Sequence, residues 1–415
     1  MKKIFKTSLA VALSVCMAAA MTACGGSGSA SSSESAPTDS GAAAEGTEAS
    51  AGGAIKIGGS GPLTGPAAVY GQAVKNAAEI AVEEVNAKGG LQFELNMQDD
   101  AHDPEKAVTA YGVLKDWGMQ ASLATVTSAP GAAVSPSYAE DKIFAITPSG
   151  SSTSVIYADP DNLSGAFGNV FQMCFTDPNQ GTASADYISA HPELGTKVGI
   201  IYKNDDNYSK GIFDTFMAEA AAKGLNVVYS EGTFDDSNAQ DFTVQLGKAQ
   251  EAGADILFLP IYYDPASLIL TQANGMGYKP TFFGVDGMDG ILGLEGFDTS
   301  LAEGVYLLTP FSADATDELT VNFVNKYKEK FGEVPNQFAA DAYDCVYAIA
   351  QACEAAGVTA DMSSEEICTK LVEQFTTMTF SGLTGSEMKW NANGEVTKSP
   401  KAVVIKGGVY VGVED

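Results

Sequence analysis

Hydroxyls, aromatic rings and one carboxylate recur just after apolar runs along this chain. IKIGGSGPLTGPAAVYG carries a glycine-rich turn from a short apolar run to Tyr70. ATVTSAPG places Ser128 between an expected strand and an expected helix, and ITPSGSSTS does the same for Ser149 and Ser151. Further on, Tyr208 follows KVGIIYK, Tyr262 and Tyr263 follow ADILFLP, and Asp286 follows TFFGV. Serine hydroxyls and the free N–H groups of a helix start receive an anion. A carboxylate flanked by aromatic faces suits an ammonium. Together these residue types describe a holding site for a small zwitterion. Each also has a plainer reading: Tyr70 as a packing ring, Ser128 as a helix cap, the serine cluster as a turn, and Asp286 as half of an Asp-Gly turn.

Other chemistries find little support. Thr64 stands where a GxGxxG dinucleotide fingerprint needs its third glycine, and GxxxxGK[ST] does not occur. No GxSxG nucleophile elbow occurs. His102 and His191 lie near prolines in expected loops, without a nearby serine or cysteine nucleophile. The absence of CxxC or Cys/His ligand spacing argues against zinc. Neither cofactor nor metal is expected, and the residues suit holding better than cleaving. The formal net charge is -29, and all 23 basic residues are lysine. An acidic, arginine-free chain is a poor partner for nucleic acid. It also lacks the arginine fork for a ligand's carboxylate, which leaves hydroxyls and N–H groups to hold one.

The elements that must position these residues alternate. From Ile55, strand-like runs rich in Val, Ile and Leu interleave with helical patterns. VFQMCF reads as a strand leaving the first series, and a second series follows through GVYLLTPF. Alternating βα units imply parallel sheets covered by helices on both faces. Two series imply an α/β fold of two similar doubly wound lobes. A short helix is expected near Ser135–Asp141. Three successive helices then break the rhythm and are expected to return to the first lobe. GSEMKWNANGEV and KAVVIKGGVYVGV read as strands, the last reaching the second lobe. The expected division is 54–174 plus 311–399 for one lobe and 175–310 plus 400–415 for the other.

The N-terminus reads as a targeting segment: MKKIFK, then a short apolar stretch ending at MTAC. Residues 1–23 are expected to be a signal peptide. MTAC followed by GGSGS resembles the bacterial lipobox, which implies a lipidated Cys24. Residues 24–53, almost all small or polar, are expected to be a flexible tether. Cys174, Cys345, Cys353 and Cys368 remain. Cys345 and Cys353 are too far apart on one helix to pair, but either reaches Cys368; a bridge and four buried thiols are equally open.

GPLTGPAAVYG, EVNAKGG, DDAHDPEKAV, AITPSGSS, DNYSKG, YYDPASLILTQA and GVDG run in order along the chain. In these stretches the chain resembles the branched-chain (Leu/Ile/Val) amino-acid binding proteins of ABC transporters, which are type I periplasmic binding proteins. The resemblance implies two lobes joined by a three-segment hinge that close over an amino acid. It implies that Ser128, Ser149 and Ser151 hold the carboxylate, Ser149 chiefly through its backbone. Tyr208, Tyr262 and Asp286 would face the ammonium or the ligand's backbone, and Tyr70 would line the side-chain pocket. Asp286 replaces a familiar glutamate and Ser151 a familiar threonine, which leaves ligand size open. The expected partners are a small amino acid, an ABC permease and, through the lipid, the outer face of the cytoplasmic membrane. The protein is expected to be monomeric. Amides, urea or aromatic acids as ligands, and a sensory role, are the alternatives.

Overall fold

The computed structural model describes residues 53–413. The expected signal segment, Cys24 and nearly all of the expected tether lie outside the described residues. The chain opens with β1 (Ile55–Gly61), α1 (Ala68–Ala87), β2 (Phe93–Asp99), α2 (Pro104–Trp117), β3 (Ala121–Thr125), α3 (Ser128–Asp141) and β4 (Phe144–Thr147). A small ribbon, β5 (Tyr157–Asp159) and β6 (Ser164–Ala166), precedes β7 (Val170–Gln172). The second series runs α4 (Asp177–Ala190), β8 (Val198–Lys203), α5 (Asn207–Lys223), β9 (Val227–Phe234), α6 (Thr243–Glu251), β10 (Ile256–Leu259), α7 (Tyr263–Met276), β11 (Thr281–Gly284) and β12 (Tyr306–Thr309). Then come α8 (Glu318–Phe331), α9 (Gln337–Ala355), α10 (Ser364–Phe375), β13 (Lys401–Lys406) and β14 (Val409–Gly412).

Two large sheets result. The first, in the order β2-β1-β3-β4-β7, is wholly parallel. The second, in the order β14-β13-β12-β11-β10-β8-β9, is parallel except where β13 and β14 join antiparallel. α1, α9 and α10 pack on one face of the first sheet, and α2 and α3 cover the other. In the second sheet Ile256 and Phe258 point toward α4 and α5, while Leu257 and Leu259 join the opposite core with α6 and α7. This period of two explains why the buried strands read as continuous apolar runs. The chain passes between the sheets after β7, after β12 and before β13.

Local chemistry sets the helix ends. Asp103 caps α2 by accepting from the Glu105 and Lys106 N–H groups, with Pro104 behind it, and Gly118 ends the helix at φ 89. Two expectations need correction. α3 begins at Ser128 rather than near Ser135, because Pro130 falls in the first turn, where a missing N–H costs little. GSEMKWNANGEV forms only isolated bridges, Phe380 to Met388 and Trp390 to Val396. Its Trp390 packs on Phe375 instead, and its indole N–H donates to the Gln172 carbonyl at 2.8 Å. Cys174, Cys345, Cys353 and Cys368 are buried free thiols, which settles the open question against a bridge among them.

α4 and α5 approach so closely that Gly181 leaves no room for a methyl group. A Cβ there would lie 2.1 Å from Thr215 Oγ1, 2.5 Å from the Ile212 carbonyl and 2.7 Å from the Phe216 nitrogen. Two of these are backbone atoms and cannot rotate away. Gly181→Ala is expected to destabilise the protein by about 2 kcal/mol, since overpacking costs up to about 3 and the better helix propensity returns about 1. Urea unfolding checks this, and equal midpoints for the two proteins would contradict it.

Candidate ligand-binding site

The carboxyl ends of the strands place the candidate residues. In the first lobe β1, β3 and β4 lead to Tyr70, Ser128 and Ser149; in the second β8, β10 and β11 lead to Tyr208, Tyr262 and Asp286. Crevices beyond strand ends are where open α/β sheets hold ligands. The glycine-rich loop after β1 is not a phosphate cradle, because its donors are already taken. Asp99 Oδ1 accepts from the Leu63 and Thr64 N–H groups at 2.9 and 3.3 Å, and Thr64 Oγ1 donates to Oδ2 at 2.6 Å. Gly71 is there for close approach: a Cβ would sit 2.2 Å from the Pro62 carbonyl.

Tyr70, Ser149, Tyr208, Tyr262 and Asp286 line one small cavity together with Val126, Thr127, Gly287 and Phe338. None of these nine carries positive charge. Tyr208 donates to Asp286 Oδ1 at 2.5 Å and accepts from the Gly287 N–H at 2.8 Å. Its ring stacks on Tyr262 at 4.6 Å, with 8° between the planes. Tyr70 donates to the Gly287 carbonyl and accepts from the Tyr263 N–H at 3.2 Å, so it ties one lobe to the other. Burial pushes the Asp286 carboxyl up to about 7, against the pull of the Tyr208 hydroxyl and Gly287 N–H.

Ser128 and Ser151 stand one layer behind. Ser128 Oγ accepts from the Ser152 N–H at 3.1 Å, while its backbone N–H faces the Tyr262 hydroxyl at the start of α3, which has no side-chain cap. Ser149 donates its hydroxyl to the Val126 carbonyl at 2.5 Å and its N–H to Thr147 Oγ1 at 3.3 Å. Ser151 is fully buried, and its hydroxyl faces the Asp177 carboxyl.

Four residues of the site escaped the sequence reading. Thr127, beside Ser128, pairs its hydroxyl with His102 Nδ1 at 2.9 Å. Phe338 meets Tyr70 at 4.6 Å from the start of α9, a contact between distant segments with no local signal. Gln180 accepts from the Asp286 N–H at 3.3 Å. Asp177 is 1% exposed, and burial pushes its carboxyl well above the ordinary value, against the pull of the Ser151 and Ser152 hydroxyls. Asp177 carries no local signal; its closeness to Asp286 needs the folded chain.

The cavity measures about 10 Å³, room for roughly one water. Small-molecule pockets run from about 300 to 1,000 Å³. The described conformation is therefore closed, with the tyrosine rings filling the crevice, and a solute enters only when the lobes part. The lobes offer such a solute complementary ends: N–H donors at the start of α3 for an anion, and Asp286 for a cation.

Known proteins agree with this architecture. The family model described as "Periplasmic binding protein" matches residues 54–408. The Leu/Ile/Val-binding protein homolog 3 of Brucella melitensis biotype 1 is 30% identical over 237 residues, 56% of this chain and 61% of that relative's length. The branched-chain amino acid transporter substrate binding protein LivJ of Streptococcus pneumoniae, solved with isoleucine, is 27% identical with a TM-score of 0.75, covering 86% of this chain and 98% of that one. The leucine binding protein LivK of Thermotoga maritima MSB8 is also 27% identical, with a TM-score of 0.74 and coverage of 87% and 98%. With two parallel-sheet lobes, a crevice between their strand ends and a family match across nearly all the described residues, the chain belongs to the periplasmic binding protein family.

Proposed function

We propose that the protein is a solute-binding lipoprotein outside the cytoplasmic membrane. It captures a small aliphatic amino acid between its lobes and delivers it to an ABC transporter; it binds and does not catalyse. The observation that carries this reading is the pairing of Asp286, buried without a basic partner, with the uncapped start of α3 across the crevice. An amino acid offers an ammonium for the acid and a carboxylate for the α3 N–H groups, in place of the Tyr262 hydroxyl that now faces the Ser128 N–H. The names of the relatives, with leucine, isoleucine and valine, support the aliphatic class. Lipidation at Cys24, the lobe boundaries at 174/175, 310/311 and 399/400, and a monomeric state complete the proposal. Ligand touching both lobes shifts the balance toward the closed form by its preference for that form.

Calorimetric titration with a panel of amino acids tests the reading; no heat from any of them at millimolar concentration contradicts it. The titration also has an expected pH dependence. Asp286 must be ionised to meet an ammonium, and in the ligand-free protein its carboxyl is pushed up to about 7 by burial. Below that pH the site must first lose a proton, so affinity is expected to fall about tenfold per pH unit. Above it the affinity levels off. For folding the sign is opposite. A raised carboxyl favours the ligand-free fold at low pH, and that contribution is lost as pH rises through about 7. A flat affinity from pH 8 to 5 would remove Asp286 as the ammonium's partner.

A further inference from the structure

A second and larger cavity, about 750 Å³, lies between the same lobes. Val69 and Ala73 of α1 and Val334 after α8 wall it on one side; Leu292, Val409 and Val411 wall it on the other. It is separate from the amino-acid crevice, and near-neighbours in sequence face different cavities. Val69 lines the larger and Tyr70 the smaller; so do Asp289 and Gly287, and Asn336 and Phe338. Val69 and Gly290 help close the partition, since a Cβ at 290 would lie 2.9 Å from Val69 Cγ1.

This cavity has its own acid. Asp289 lines it and is 4% exposed. Its carboxyl accepts from the Gln337 N–H at 3.0 Å and from the Tyr410 hydroxyl, and no cation is among its partners. Asp314 and Glu333 also line the cavity, against one lysine, Lys328. At the rim Val334 and Val409 are 52% and 53% exposed. Apolar walls, a solvent-facing apolar rim and a buried acid without a cationic partner specify one chemical class.

We propose that this cavity is a second binding site, which takes a small organic cation with an apolar body. The body covers the valines and Leu292, and the ammonium donates to Asp289. Burial pushes the Asp289 carboxyl up, and an adjacent cation favours its ionised form. Because the walls come from both lobes, the occupant favours the arrangement that brings them together. It thereby tightens capture in the neighbouring crevice, and by reciprocity the captured solute tightens the cation.

The test is calorimetric titration of the full chain with 2-phenylethylammonium and with its neutral counterpart 2-phenylethanol. The cation is expected to bind at least about tenfold more tightly than the alcohol. Asp289→Asn keeps an acceptor for Gln337 and is expected to abolish that difference. Val409→Trp, at the exposed rim, is expected to weaken the cation at least about tenfold without touching the fold. Asp286→Asn is expected to leave cation binding unchanged, which separates this site from the amino-acid crevice. No binding at millimolar cation, equal affinity for the alcohol, or loss in Asp286→Asn with retention in Asp289→Asn would each overturn the proposal.

Discussion

Asp286→Ala is expected to weaken amino-acid binding by about 3–5 kcal/mol, a factor of about 150 to several thousand. The carboxylate is 3% exposed, and its side-chain partners, the Tyr208 hydroxyl and the Gln180 amide, are both neutral. No lysine lines the crevice to take its place. A ligand ammonium closed into this space without Asp286 is a buried charge with no counter-charge. Most of the cost is that unpaired charge rather than the lost contact. Asp286→Asn keeps the shape and an acceptor and removes only the charge, so it is expected to lose most of the same affinity. Calorimetry on both variants checks the prediction, with circular dichroism as the control for folding. Wild-type affinity in either variant would place the ammonium elsewhere.

Lys398→Met is expected to destabilise the fold by about 3–5 kcal/mol. Its ammonium is 1% exposed and donates to Asp341 Oδ1 and Thr384 Oγ1, both at 2.7 Å. Asp344, buried on the same helix as Asp341, accepts from the Leu383 and Thr384 N–H groups at 2.8 and 2.9 Å. Burial pushes Asp341 up and Asp344 up to about 6, and Lys398 opposes both shifts. Removing the lysine leaves two buried acids that must take up protons. The variant is therefore expected to regain stability as pH falls from 8 to 5, because a raised carboxyl favours the fold at low pH. Lys398→Met with Asp341→Leu removes both charges and is expected to recover much of the loss. Urea unfolding across pH reads all three proteins. A single variant as stable as wild type at pH 8 would show that the pair contributes nothing.

The α/β alternation was legible because a strand buried on both faces must be an apolar run, as ILFL of β10 is, and because Asp-Pro and Gly mark the ends of α2. Strand ends then pointed to Ser149, Tyr208, Tyr262 and Asp286, which share a cavity. Two segments misled. SAPGAAV looks like a loop because it holds a proline and a glycine, yet the proline sits where a helix tolerates it. GSEMKWNANGEV has the turn chemistry of a hairpin, but Trp390 and Phe380 are drawn into the core beside Phe375, and only bridges remain. Asp177, Gln180 and Phe338 were not legible, since each joins the site through partners far along the chain. Local pattern carries no record of such meetings.

The central claim is that one bound molecule satisfies both lobes through its two charged ends. Calorimetric titration with leucine, N-acetyl-leucine and leucinamide tests it most directly, because each derivative removes one charge. The account predicts binding of leucine and a loss of at least about a hundredfold for each derivative. N-acetyl-leucine or leucinamide binding as tightly as leucine would contradict it.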